Sequence, residues 1–206
     1  MIEVSEIQRD ALGEIFNIGV GRAAESLSMI VKEEIELSAP TVLFLAPEEV
    51  QKNLLGTDLK QLSLVSQDFR GPFDARAMLV FPEQNALVIV GHMLGETVPP
   101  EELSEYEQEA MCEVGNIILN ACISALADLF CVEFEGTLPE YQYADRHTID
   151  LIGTMDGEVP VVLVVQIDLT IKQQCVQGHL MFLLSVSSLQ ELMDSIDRFL
   201  AGQGIT

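Results

Sequence analysis

Positive charge is scarce in this sequence: 10 Lys and Arg stand against 33 Asp and Glu, a formal net charge of −23 over 206 residues. Binding to nucleic acid or to anionic lipid rests on cationic side chains, so neither a nucleic acid nor a membrane is an expected partner. Long apolar runs are missing as well. The run Val159–Val165 is interrupted by Pro160 and lies between Gly157 and Asp168, well under the roughly 20 residues that a membrane-crossing helix needs. Nothing in the first thirty residues has the basic, apolar and small-residue succession of a signal peptide, so a cytoplasmic chain is expected.

Metal and redox chemistry also lack their usual residues. Cys112, Cys122, Cys131 and Cys175 have no C-x-x-C spacing, and three fall in an apolar helical pattern, so all four read as reduced core residues. His92, His147 and His179 have no second ligand at i+3 or i+4, which argues against a bound metal and against a histidine-based nucleophile. Gly19-Val20-Gly21 follows no strand and lacks the later Gly or Lys-Ser/Thr of a phosphate loop. Inside a helix these glycines instead imply close approach of a packed neighbour.

What the chain does have is a globular hydrophobic content of 49% and an internal repeat. A shift of 99 residues superposes Ser5 on Ser104, Glu6 on Glu105, Ala11 on Ala110, Glu14 on Glu113, Asn17 on Asn116 and Ile18 on Ile117. The match continues without a gap through Leu27 on Leu126, Glu34 on Glu133 and Pro40 on Pro139. The expected organisation is one domain, 1–206, built from a first half 1–98 and a second half 99–206, with a hinge at Gly95–Leu103 marked by Pro99 and Pro100.

Each half opens with a capping box, Ser5 with Gln8 and Ser104 with Glu107. Apolar residues at Ile7, Ala11, Ile15 and Ile18, and at Tyr106, Ala110, Val114 and Ile117, predict one buried stripe on each helix. The two helices should run to near Val31 and Phe130. Strand-like runs follow at Ile35–Leu45, Leu62–Phe69 and Ala75–Phe81, then at Val132–Pro139, Ile149–Met155, Val159–Ile171 and Gly178–Val186. Met155-Asp156-Gly157 reads as a hairpin turn. Helical patterns at Pro82–Leu94 and Ser187–Leu200 close the halves. The expected fold class is α/β of the α+β kind, a pseudo-twofold repeat of helix, strands and helix, with long helices packed on a mainly antiparallel sheet.

One polar stripe stands out. At 100° per residue, Asp10, Glu14 and Asn17 share a narrow face, as do Glu109, Glu113 and Asn116, opposite the apolar stripe. The Glu and Asn are identical in the two copies, whereas other outward positions differ, Arg22 against Ala121 and Glu25 against Ser124. Folding does not call for an Asn in mid-helix, since it is a poor helix former.

The pattern Asp/Ser-x3-Glu-x2-Asn, followed 23 positions later by Pro, resembles the signature of the CheC-type chemotaxis phosphatases, which include CheC, CheX and FliY. It occurs as Asp10, Glu14, Asn17 and Pro40, and again as Glu109, Glu113, Asn116 and Pro139. The run DALGEIFNIGVGRAAESLS is similar to the family's first helix, and the two-copy plan resembles CheC rather than single-motif CheX. No chain is expected after Thr206 for the extra switch-binding domain of FliY.

The resemblance implies hydrolysis of the phospho-aspartate on a CheY-type response regulator. Asn17 and Asn116 would position the water, since an amide both accepts and donates without a charge that repels phosphoryl oxygens. Glu14 and Glu113 would anchor a receiver lysine, while Pro40 and Pro139 set the chain direction at each first strand. The Mg²⁺ would belong to the phosphorylated receiver. Glu109 departs from the usual Asp or Ser, and its extra acidic reach predicts a weaker second site. The alternative is a non-catalytic interaction module resembling the FliM middle domain, or a regulator that binds CheD through the acidic face of the last helix, Glu191, Asp194 and Asp197.

Overall fold

A computed structural model describes residues 4–47, 49–50, 61–95, 98–99, 102–145, 160–171 and 173–204. The expected strand Ile149–Met155, the turn at Met155-Asp156-Gly157 and parts of the hinge lie outside these residues, as does His147.

The chain opens with α1 (Glu6–Val31), β1 (Ile35–Leu37), β2 (Thr41–Leu45), β3 (Gln61–Arg70), β4 (Ala75–Pro82) and α2 (Glu83–Leu94). It continues with α3 (Leu103–Phe130), β5 (Glu135–Gly136), β6 (Glu140–Asp145), β7 (Val161–Ile171), β8 (Gln174–Leu184) and α4 (Val186–Gly202). Every strand pair among the described residues is antiparallel. The hairpins β3–β4 and β7–β8 meet side by side through β4 and β8 at the sheet centre. β1 and β2 add to β7, and β5 and β6 add to β3. Mixed helix and antiparallel sheet is thus the fold class that the sequence predicts.

Helices α1, α2, α3 and α4 contribute to one core on one sheet face, where Phe16 of α1 stacks on Phe182 of β8 with centroids 5.2 Å apart. A second apolar cluster, including Leu64, Val80, Val164 and Met181, occupies the opposite face. Burial on both faces explains why Val161–Val165 reads as an unbroken apolar run rather than an alternation.

The buried stripe of α1 is Leu12, Ile15, Phe16, Gly19, Val20, Ala23 and Leu27. It keeps the expected period but is rotated from the expected phase, and Ile7 and Ile18 are exposed, as is Tyr106 on α3. Gly19 and Gly115 explain the shift, because both lie on the buried faces as contact points rather than gaps. A Cβ on Gly19 would sit 2.8 Å from Cys122 Cα, and one on Gly115 would sit 2.4 Å from Val65 Cγ1. Gly21, by contrast, faces open space.

The Ser5–Gln8 capping box forms in both directions. Its expected counterpart does not. α3 starts one residue before Ser104, with Glu102 at its N-cap, and Glu107 turns inward, where its carboxylate accepts from the hydroxyl of Ser63. Tyr141 Oη lies 3.5 Å from that hydroxyl, and burial is the main cause raising the Tyr141 phenol above its usual range. Val132–Pro139 is not one strand either: only Glu135–Gly136 pairs, and β6 begins after Pro139. β6 was missed because its exposed Glu140 and Gln142 carry little apolar signal.

α3 is long and apolar enough, by length and composition, to cross a membrane, but its apolar residues pack into the shared core. The cysteines correct the sequence reading. All four are free, yet only Cys122 is buried; Cys112 is half-buried, and Cys131 and Cys175 are exposed. Cys131 is the left-handed C-cap of α3 rather than part of its packed face. Burial pushes the Cys122 thiol up to about 12 and also raises that of Cys112. Because the thiolate is the nucleophile, iodoacetamide at pH 8 should label Cys131 and Cys175 first, Cys112 more slowly, and Cys122 only on unfolding. Peptide mass spectrometry against time reads the order, and early labelling of Cys122 would contradict this packing.

Candidate functional site

The polar stripe of α1 faces away from the core, and Asp10, Glu14 and Asn17 are all exposed. Helix α1 alone does not complete the surface. After β1 the chain leaves the sheet at Ser38, whose backbone N–H donates to the Asp168 carbonyl at 2.8 Å and whose hydroxyl accepts from Asp168 N–H at 2.9 Å. Pro40 then stands between β1 and β2. This turn brings Ala39, Pro40, Thr41 and Val42 beside Arg9, Asp10, Gly13, Glu14 and Asn17, and the nine residues line a shallow cleft of about 500 Å³. The four first-half positions singled out in the sequence are therefore gathered in one place. Arg9, Gly13 and Ala39 were not singled out. Gly13 and Ala39 line the cleft with little side-chain bulk, and Arg9 adds a cation to a lining that includes Asp10 and Glu14.

The second stripe is arranged differently. Glu109 and Glu113 are exposed and line a cleft of about 370 Å³ with Met93, Leu94, Tyr106 and Ala110. Pro139 stands between β5 and β6, and its carbonyl lies 3.9 Å from Cys112 Sγ. Leu138, the counterpart of Ala39, is 84% exposed. Asn116 is half-buried, and its side-chain oxygen accepts from Asn120 Nδ2 at 2.9 Å. The structure thus keeps Glu109 and Glu113 together but draws Asn116 toward its own helix. Neither Asn120 nor its other acceptor, Gln67, was singled out in the sequence. The 99-residue alignment held the signal, since it places the amide of Asn120 opposite Gly21.

Among the described residues no group of three or more His, Cys, Asp or Glu has a metal-binding arrangement. His92 is engaged on both nitrogens, Nδ1 lying 3.2 Å from Glu33 and Nε2 3.2 Å from Gln174 Oε1. Burial lowers the His179 pKa, with Asp168 acting in the opposite direction. On α4, Glu191, Asp194 and Asp197 are exposed, but Asp197 accepts from Gln8 Nε2 at 2.8 Å and Asp194 from Gln190 Nε2 at 2.8 Å.

The family model described as "Chemotaxis phosphatase CheX" matches residues 63–162, and the CheC-like family model matches residues 7–43. Over most of its length the chain is thus similar to the CheC/CheX/FliY family. The CheY-P phosphatase CheC of Bacillus subtilis is 24% identical over 196 residues, covering 92% of this chain and 93% of that protein. The crystal structure of Thermotoga maritima FliY superposes with a TM-score of 0.78 at 22% identity, covering 97% of this chain and all of that one. CheX from a Borrelia burgdorferi CheX–CheY–BeF3–Mg complex gives 0.52 at 18% identity over 84% of this chain and 96% of that one. A FliM middle domain from Vibrio alginolyticus gives 0.64 at 18% identity over 90% of this chain and 99% of that one.

Proposed function

We propose that this protein is a phosphatase for the phospho-aspartate of a CheY-type response regulator. The observation that carries the reading is the first cleft, where Glu14 and Asn17 stand exposed on one helical stripe beside the Pro40 turn. A receiver would dock across α1, with Glu14 pairing with a lysine of its active site. Asn17 would then reach the acyl phosphate. Its carbonyl accepts a hydrogen bond from the attacking water, which is thereby held in line with phosphorus, while its NH₂ is free to donate to a phosphoryl oxygen. Attack forms the new P–O bond and breaks the bond from phosphorus to the aspartyl oxygen. Inorganic phosphate leaves carrying the oxygen and both protons of the water, and the receiver carboxylate is restored. The receiver's own Mg²⁺ offsets phosphoryl charge, so this chain supplies position rather than an acid or base.

The FliM-like fold supports a second reading, a docking module without turnover. The decay of a phosphorylated CheY-type receiver in Mg²⁺, with and without the protein, separates the two. Acceleration at substoichiometric protein is the expected result, and no acceleration leaves only docking. Glu14→Lys with Glu113→Lys should raise the receiver concentration for half-maximal rate at least about tenfold, since like-charge juxtaposition costs more than the ~1.4 kcal/mol that tenfold requires. An unchanged concentration dependence would remove the anchoring role.

A further inference from the structure

The two stripes share their Glu and Asn but not what lies beneath them. On α3, Asn120 Nδ2 is 2.9 Å from Asn116 Oδ1, 2.7 Å from the Asn116 backbone carbonyl and 3.2 Å from Gln67 Oε1. Gln67 is 4% exposed in β3 and donates its own Nε2 to the Thr137 carbonyl at 2.6 Å. Thr137 is fixed in turn by Asp68, through Asp68 N–H to Thr137 Oγ1 at 3.1 Å and Thr137 N–H to the Asp68 carbonyl at 2.9 Å. A relay of amides therefore runs from the turn before Pro139, across β3, to the side chain of Asn116.

The first half has the anchor without the relay. Ser38 makes with Asp168 the exchange that Thr137 makes with Asp68. The residue before Asp168, however, is Ile167, fully buried and without a side-chain amide, where Gln67 precedes Asp68. The position matching Asn120 is Gly21, where an added Cβ would meet nothing within 4 Å. Asn17 is exposed, while Asn116 is half-buried.

The consequence is chemical. An attacking water must keep one lone pair for phosphorus and give a proton to an acceptor. With Oδ1 held by Asn120, one of the two lone pairs that Asn116 could offer such a water is occupied, and the oxygen is tied to its own helix. We propose that Asn120, held by Gln67, keeps Asn116 in a resting orientation and so attenuates the second site relative to the first. The proposal rests on the phosphatase reading above and makes Asn120 a positioning residue, since it acts through Asn116.

The test uses the intact chain and a phosphorylated CheY-type receiver in Mg²⁺, with kcat and the half-saturating receiver concentration measured separately. In an Asn17→Ala background, which leaves only the second site, Asn120→Ala should raise kcat about fivefold, the size of one lost hydrogen bond. The half-saturating concentration should not move, because the docking surface is untouched. A kcat that is unchanged or lower on Asn120→Ala, with the melting curve intact, overturns the proposal. If Asn120→Ala unfolds the protein, the near-isosteric Asn120→Asp, which removes the donor to Asn116 Oδ1, decides in its place, and a kcat that is unchanged or lower there overturns the proposal. A wild-type rate equal to that of the double Asn variant removes the phosphatase reading itself, and the proposal with it; loss of the relay effect alone leaves wild-type turnover in place.

Discussion

Asn17→Ala combined with Asn116→Ala should return the decay of a phosphorylated CheY-type receiver to the rate of the receiver alone, while circular dichroism and the melting temperature stay close to wild type. The fold tolerates the change because Asn17 is exposed and Asn116 only half-buried, and Ala is the better helix former at both places. The activity does not, because each Asn is the only group assigned to hold the water, and loss of positioning costs about 100-fold. Each single variant should retain part of the activity, with more lost from Asn17→Ala if the first site dominates. Turnover near wild type in the double variant would end the mechanism.

Gly19→Val should disrupt the contact between α1 and α3. A Cβ at Gly19 lies 2.8 Å from Cys122 Cα, 3.0 Å from the Ala121 carbonyl oxygen and 3.2 Å from Cys122 N. These are backbone atoms of α3, so no rotamer change relieves the overlap, and α1 must move. Overpacking of this kind costs about 1–3 kcal/mol, a large share of the 5–15 kcal/mol that typically holds a domain together. Thermal unfolding should fall by several degrees, and the stripes on α1 and α3 should lose their relative placement. Gly21→Ala, two residues away, should do the opposite and stabilise by about 1 kcal/mol, because nothing stands near its Cβ and Ala favours the helix. Equal melting shifts of the same sign would show that the α1–α3 contact does not discriminate the two glycines.

Much of this architecture was legible in the residues. Helices ending near Val31 and Phe130, strands at Leu62–Phe69 and Ala75–Phe81, and the capped start at Ser5 followed from period and punctuation, and the structure agrees closely. The misreadings have local causes. Ser104 and Glu107 satisfy the capping pattern, but a tertiary partner, the Ser63 hydroxyl, claimed the carboxylate. Ile7, Ile18 and Tyr106 look like core residues, yet the glycines at 19 and 115 set which face goes inward, and a pattern scored on large apolar residues cannot see that. Asp10, Glu14, Asn17 and Pro40 could be named from spacing alone. The withdrawal of Asn116 could not, because it depends on Gln67, which reaches α3 only once β3 has paired and Thr137 has docked on Asp68.

The sheet also dictates an order of events in the life of the chain. Val42 pairs with Val165, and Leu64 with Gln142, across about 120 and 80 residues of intervening sequence. The β2 strand emerges from the ribosome long before β7 exists to receive it, and β3 must wait for β6. Such pairings are slow to find, since loop closure precedes any contact that rewards it. Neither half can complete its own sheet edge. A newly made first half therefore holds open strands until the second arrives, and the first cleft, whose turn at Ser38 hangs on Asp168, becomes competent only after synthesis has passed β7.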